Sequence, residues 1–480
     1  MRNWRSAAAG KIPPGLLRKA APLLVKTRGP KRTQPGAGPL PAAEELRRAN
    51  VVALRRMLEE SSIAHRAAVH EGVPVQVLEP QAITADGIHR AVESSPLQVI
   101  QSSPLADGGQ AFSLSMRTTG HDSIDRSLSA RLALPAPEST SAFEDALEAC
   151  FDVDLVYTWV DGTDPHWQGQ RQAAESRMGG SLIRTSNDDG RFATHDELRY
   201  SLRSVEYFAP WIRRIFIVTA GQRPSWLEAA DDRIHVVDHS EIFEDPANLP
   251  TFNSHAIEAQ LHRIPGLAEH FIYMNDDVFL GQPVSPTDFF TPAGQPRFFL
   301  SSQGIRSEGE EELPVDVAAK NNREIIEATF GRTVSRKFKH APHAQRRSTL
   351  ELIAAEHREA TARTTAARFR SPTDLSIPSS LAHYYGLCLG SAVESQIGYA
   401  YTDISHDDSQ LRLLRMLRGG LPQTFCLNEV QAGNSRGRSG ETARMLEHFL
   451  PRAFPLRSVH ELAPAGPPTA RQSTGIEGQY

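Results

Sequence analysis

Hydrophobic positions in the first third of the chain recur at the spacing of an amphipathic helix between Ala43 and Glu60, where Val51, Leu54, Met57 and Leu58 fall on one face. Val73-Pro-Val-Gln-Val-Leu78 reads as a strand and Gly87 to Val92 as a short helix, which predicts a small α/β module over residues 43–132. Ala133-Leu-Pro-Ala-Pro-Glu-Ser-Thr140 is rich in Pro, Ser and Ala and predicts a linker over 133–148. Beyond it the pattern alternates. Near-continuous apolar runs at Asp154–Val160, Ile215–Val218, Ile234–Val237 and Phe271–Met274 suit buried strands. Between them, His195–Phe208 carries Leu198, Leu202, Val205 and Phe208 on one face, with Thr194 and Glu197 spaced as a capping box, and Ser254–Leu261 reads as a further helix. Strands separated by helices predict an α/β fold with a mostly parallel sheet, whose ligands sit at the carboxyl ends of the strands.

Composition narrows the function classes. Of 480 residues, 40% are hydrophobic and 23% charged, ordinary for a globular chain of two or three domains, and the net charge of −5 argues against a nucleic-acid-binding role. Three cysteines (Cys150, Cys388, Cys426) lie far apart with no CxxC pair, which excludes a disulfide framework and fits a reducing, cytoplasmic setting. No run of about 18 apolar residues predicts a spanning helix. Residues 1–42 contain nine Lys or Arg and no acid, and Arg18 and Lys19 interrupt their short apolar clusters, so no signal-peptide core forms. Their prolines predict a disordered basic tail, with peripheral contact to an anionic membrane surface as the other reading.

Two acidic turns follow predicted strands: Asp161-Gly-Thr-Asp164, and Asn275-Asp276-Asp277. Adjacent carboxylates on a ligand-binding edge repel unless a cation or substrate intervenes, and hard oxygen ligands suit Mg²⁺ or Mn²⁺ on a diphosphate; the simpler role for such an Asp is to cap a turn. Arg199 and Arg203 stand one helical turn apart, placed either to grip phosphate oxygens or to form a solvated face in which Arg203 pairs with Glu206. Downstream, His340-Ala-Pro-His343 and Arg370 belong to a basic stretch; a histidine beside a phosphate can act as general base, although surface histidines without that role are commoner. No GxSxG, GxxxxGK[ST], HExxH or post-strand GxGxxG motif is present, which sets aside serine hydrolases, P-loop kinases, zincins and dinucleotide oxidoreductases.

Several long motifs occur together in one order. Asp154-Leu-Val-Tyr-Thr-Trp-Val-Asp-Gly-Thr-Asp-Pro165 resembles the first signature region of Stealth proteins. Asp196-Glu-Leu-Arg-Tyr-Ser-Leu-Arg-Ser-Val-Glu206 through Phe271-Ile-Tyr-Met-Asn-Asp-Asp-Val278 resembles the second. Asn321-Asn322, Phe330-Gly331 and His340-Ala-Pro-His343 resemble the third, and Cys426-Leu-Asn-Glu429 the fourth. The likeness implies a Rossmann-like, glycosyltransferase-type catalytic domain over 149–435, followed by a C-terminal extension over 436–480. It also implies transfer of a hexose-1-phosphate or N-acetylhexosamine-1-phosphate from a nucleotide-sugar to a glycan hydroxyl in exopolysaccharide or capsule synthesis. The roles expected are Asp276 and Asp277 on Mg²⁺ or Mn²⁺, with Asp161, Asp164 and Asn275 facing the donor. Arg199, Arg203 and Arg370 are expected on the phosphoryl oxygens, and His340 or His343 as base. Two positions depart from the family pattern: Asp161 stands where many relatives carry Asn, and Thr194-His195 where they carry an acidic or Asn pair. The competing reading is a metal-dependent glycosyltransferase that breaks the anomeric bond and releases nucleoside diphosphate.

Overall fold

The computed structural model describes residues 43–63, 65–70, 73–78, 83–104, 109–116, 130–134, 149–178, 194–228, 233–305, 314–429 and 439–462. The expected tail over 1–42 and all but the first two residues of the expected linker lie outside these.

The N-terminal module is a five-stranded sheet with two helices. Strands β1 (His65–His70), β2 (Val73–Leu78), β3 (Leu97–Pro104), β4 (Gln110–Met116) and β5 (Ala130–Leu134) take the order β1-β2-β5-β4-β3. Helix α1 (Ala43–Glu60) buries Val51, Leu54, Met57 and Leu58, the face its spacing predicts, and α2 (Ala85–Glu93) is capped by the Thr84 hydroxyl. The module is not a separate globule. Its apolar residues run into the same core as Leu202, Val205 and Phe208, and Arg55 donates to the Glu206 carbonyl at 3.4 Å.

The central sheet contains β6 (Val153–Thr158), β7 (Ile215–Thr219), β8 (Ile234–Asp238) and β9 (His270–Asn275), mutually parallel, with β11 (His343–Arg346) antiparallel at one edge; the order is β11-β9-β6-β7-β8. Strand alternation explains the near-continuous apolar runs. Leu155, Tyr157, Ile215 and Ile217 point into one core, while Val156, Phe216 and Val218 point into the other. The first face is covered by α4 (Glu197–Phe208) and by α9 (Ser439–Ala453) through Leu446, Phe449 and Leu450. The second is covered by α5 (Ser254–Glu258), α6 (Pro314–Phe330), α7 (Arg347–Glu356) and α8 (Ala382–Cys388). The stretch expected to be an extension past 436 therefore supplies a helix of the main core.

Two local expectations change. The helix expected from His195 begins at Glu197, with Asp196 in the left-handed region (φ 64°) as its N-cap and no side-chain cap bond; the Glu197 carboxylate turns back instead to the His195 amide. The helix expected over Ser254–Leu261 is shorter, closing at Glu258 before a separate 3-10 turn over Leu261–Arg263.

Candidate active site

Strands β6 and β9 are neighbours, with Thr158 opposite Asn275, so both acidic turns leave the same edge of the sheet side by side. Their carboxylates serve different ends. Asp161 Oδ1 accepts from the Thr163 amide (2.8 Å) and hydroxyl (2.6 Å), and Asp164 Oδ1 accepts from the His166 amide at 2.8 Å, where helix α3 (Pro165–Met178) starts. Gln222 ties the turn together, donating to Asp164 Oδ2 and to the Asp161 carbonyl, each at 3.0 Å. This bond and the His166 amide hold the Asp164 carboxyl below its usual range. The first turn is thus shaped by its own acids.

In the second turn the acids crowd. Burial drives the Asp276 carboxyl well above its ordinary range, and the negative charges of Glu197 and Asp277 push it further. Glu197, at the start of α4, is raised by its own burial, with Asp277 contributing. Asp277 Oδ1 lies 3.3 Å from His340 Nε2 yet makes no hydrogen bond, and Asp277 Oδ2 accepts from the Cys426 thiol at 3.3 Å. That thiol comes from β13 (Thr424–Asn428), which pairs antiparallel with β10 (Val278–Leu280) and parallel with β12 (Tyr399–Asp403). Burial and Asp277 push the Cys426 thiol up, so it stays protonated as a donor.

These groups fit a divalent cation. The charges of Glu197 and Asp277 both bear on Asp276, and one buried oxygen, Asp277 Oδ1, is left without a hydrogen-bond partner. Among the described residues, one set of three potential ligand atoms lies within 4.8 Å of one another: Asp277, His340 and Cys426. Asp276 is not in that set. The protonated thiol is a poor ligand, so the hard oxygens remain the better donors for Mg²⁺ or Mn²⁺.

His340 and His343 flank Ala341-Pro342 on the approach to edge strand β11, and the register sets His343 opposite Tyr273 of β9. Their environments differ. Burial opposes protonation of His340, but the Asp277 charge prevails and raises it. His343 is pushed well below the imidazole range by burial and by its histidine neighbours His383 and His340.

Arg370 lies in the loop that follows a helix over Arg358–Ala366, donating to the Ser254 hydroxyl at 2.5 Å and reaching the His255 ring. Glu258 and Asp374 surround it with negative charge, and Glu258 also accepts from Tyr273 OH at 3.2 Å and acts on His340. Asp374 Oδ2 accepts from Asn253 Nδ2 and the Ser371 amide, each at 2.9 Å, which pins the loop to α5. Glu258 and Asp374 carry no signal in the sequence, and Glu197 and Cys426 stand in resembling motifs without a site role of their own; the fold brings Glu197 and Cys426 to the acidic turn and Glu258 and Asp374 to Arg370.

Arg199 and Arg203 are placed differently. Arg203 Nε lies 2.5 Å from Glu461 Oε1 and its Nη2 2.9 Å from Oε2, while Arg199 Nε lies 2.8 Å from Oε2. The expected solvated pairing of Arg203 with Glu206 is replaced by this buried cluster, because the C-terminal segment folds back over α4. Glu206 instead accepts from the Val459 amide at 3.3 Å.

Acidic turns, two histidines and a half-buried arginine thus gather at the carboxyl edge of a parallel sheet, the edge at which open α/β folds bind their ligands. The chain belongs to the Stealth family: it matches Stealth protein CR1, conserved region 1, over residues 151–179, CR2, conserved region 2, over 191–298, and CR3, conserved region 3, over 339–387. These spans contain both acidic turns, both histidines and Arg370; Asn321-Asn322 and Phe330-Gly331 precede the third. An exopolysaccharide phosphotransferase of Streptomyces coelicolor is 48% identical over 328 residues, 67% of this chain and 55% of the relative. The exopolysaccharide phosphotransferase CpsY of Mycobacterium tuberculosis is 39% identical over 321 residues, 66% of this chain and 59% of the relative. The chain thus aligns with a little over half the length of these relatives. Among solved structures, the galactosyltransferase LgtC, in complex with donor and acceptor sugar analogues, matches 64% of this chain and 97% of its own at 12% identity and a TM-score of 0.32, a likeness that carries no functional argument.

Proposed function

We propose that the chain transfers a hexose-1-phosphate or N-acetylhexosamine-1-phosphate from a nucleoside diphosphate sugar to a glycan hydroxyl, leaving a phosphodiester in an exopolysaccharide and releasing nucleoside monophosphate. The names of the 48% and 39% identical relatives support sugar-phosphate chemistry. The observation that carries the reading is the meeting of the Asp276–Asp277–Glu197 acids with His340 and His343 at the sheet edge, beside the Arg370 network.

In this reading Asp276 and Asp277 would hold Mg²⁺ or Mn²⁺, which when bound supplies positive charge to the donor diphosphate. Asn275, with the turn shaped by Asp161 and Asp164, faces the donor. The acceptor oxygen attacks the phosphorus that bears the sugar. The bond from that phosphorus to the nucleoside monophosphate breaks, and the monophosphate leaves with its electron pair. A base needs a free lone pair at working pH, so the neutral His343 accepts the hydroxyl proton, while His340, inclined to carry a proton beside Asp277, contributes positive charge. Arg370 offsets charge on the phosphoryl oxygens. Arg199 and Arg203, committed to Glu461, act by holding α4 in place.

Incubating the protein with a panel of nucleotide-sugars, acceptor oligosaccharides and Mg²⁺ tests the reading. Monophosphate release with an intact anomeric C–O bond is expected, and nucleoside diphosphate release would refute it. Among the described residues no helix is long and apolar enough to cross a membrane. The reading places the enzyme in the cytoplasm, with peripheral contact to the inner membrane face through basic residues 1–42 as its alternative; co-sedimentation with anionic vesicles that is lost on deleting those residues would support the contact.

A further inference from the structure

Three buried polar groups stand in line behind His343. His343 Nδ1 lies 3.0 Å from His383 Nε2, Gln345 Nε2 lies 3.3 Å from the same nitrogen, and Gln345 Nε2 donates to the Pro378 carbonyl at 2.5 Å. His383 and Gln345 are each 2% exposed, so no solvent is there to satisfy a wrong choice of proton.

The proton positions follow from the fixed end. A backbone carbonyl only accepts, so the atom of Gln345 facing Pro378 is its NH₂ group, not its oxygen. That group has two hydrogens, and the second faces His383 Nε2. His383 Nε2 must therefore be the lone-pair nitrogen of that ring, since a proton there would meet a donor. His343 Nδ1, the nearer of the two at 3.0 Å, faces the same lone pair and shares it with the amide as a second donor, so it carries its proton. The neutral His343 ring has one proton, so Nε2 is left bare. Rotating the amide would set its oxygen against the Pro378 carbonyl, which closes the other route.

We propose that His383, oriented by Gln345, is a positioning residue that holds His343 as its Nδ1–H tautomer, so that Nε2 is the nitrogen that takes the acceptor proton. Both rings stay neutral at physiological pH, because burial lowers His383 to about 3 and His343 well below its ordinary value. The second half of the inference rests on His343 being the base; the tautomer itself does not. The aromatic setting of His383, with Phe338 at 4.9 Å and Phe298 at 5.7 Å between ring centroids, keeps the ring from turning.

The test is ¹⁵N NMR of the full chain labelled at histidine, with the His343 signals assigned by difference from His343→Gln. Wild type should show His343 protonated at Nδ1 and bare at Nε2; the reverse pattern overturns the lock. In His383→Phe, which keeps an aromatic ring in place, the two tautomers should mix and kcat should fall on the order of 10²-fold with little change in donor KM. His383→Gln, whose side-chain oxygen can accept from His343 Nδ1–H, should restore much of kcat. Gln345→Met should loosen the tautomer without removing His383, and guards against a His383→Phe variant that fails to fold. If His383→Phe keeps kcat while His343→Ala loses it, the base reading stands and the lock fails. If His343→Ala keeps kcat, the base reading fails, and the NMR pattern still decides the lock.

Discussion

Replacing Glu461 by Gln tests how the C-terminal segment is fastened to α4. The Glu461 side chain is fully buried and receives Arg203, Arg199 and the Ser458 amide at 2.5–3.0 Å. Burial alone would raise its carboxyl, but the Arg203 hydrogen bond and charge, with Ser458 and Arg199, bring it to about 2. An unfolded Glu titrates near 4.3, so the ionised form stabilises the fold by about 3 kcal/mol at pH 7. The sign follows from the depressed value: the contribution is present above about pH 4.3 and is lost as pH falls through about 2. By pH 3 it should shrink to about 1.4 kcal/mol. Glu461→Gln keeps the shape and removes the charge, leaving two arginines under-compensated, a change that costs about 3–5 kcal/mol in buried pairs. Urea unfolding of wild type and variant at pH 7, 5, 4 and 3 measures the gap. A gap near 3 kcal/mol that narrows by about half at pH 3 is expected. A gap below about 1 kcal/mol at pH 7, or one constant across the range, would refute the clamp and return Arg199 and Arg203 to the phosphate-binding role their spacing first indicated.

Other outcomes follow from the acidic edge. Asp276→Asn should raise the melting temperature in chelator, because the ionised carboxyl there is disfavoured by burial and by Glu197, while activity falls on the order of 10²-fold or more. Arg370→Lys should lower kcat by about 10² with the fold intact, since an ammonium cannot reproduce the planar fork; unchanged kcat would remove Arg370 from the site. Gly281→Ala should cost about 1–3 kcal/mol, because its Cβ would run into the Pro422 carbonyl and lie 2.6 Å from Leu421 Cβ. Its denaturation curve against wild type checks this.

The four parallel strands were readable because the sheet is covered on both faces, which writes an apolar run into each even where, as in β8 at the edge, the burial is partial. The edge strand β11 was not: His343-Ala-Gln-Arg346 has no apolar alternation and follows Pro342, so it reads as loop although it pairs fully with β9. Asp276, Asp277, His340 and His343 were readable from residue type and from the resemblance, and the fold brings Asp277 and His340 into contact. Glu197 was read only as half of a capping box, and its burial beside two aspartates depends on α4 packing that no local pattern encodes. Glu461 and His383 were beyond reach for the same reason. The first meets Arg203 across 258 positions and the second meets His343 across 40, and neither stands in a motif with its partner.

The acidic turn has a mechanical position as well as a chemical one. Strand β9 belongs to the five-stranded sheet and β10, two residues later, to a three-stranded sheet with β13 and β12, so Asp276 and Asp277 are the joint between two sheets. The Asp277 carbonyl accepts the Leu427 amide at 2.9 Å, which ties that joint to β13. If the carboxylates hold a cation as proposed, occupancy and stiffness of the joint would be one equilibrium seen from two ends: a cation drawing the acids together would damp the sheets' motion, and whatever loosens the sheets would weaken its hold. Slower hydrogen exchange at the β10 and β13 amides on adding Mg²⁺ would report filling of the site without any substrate present.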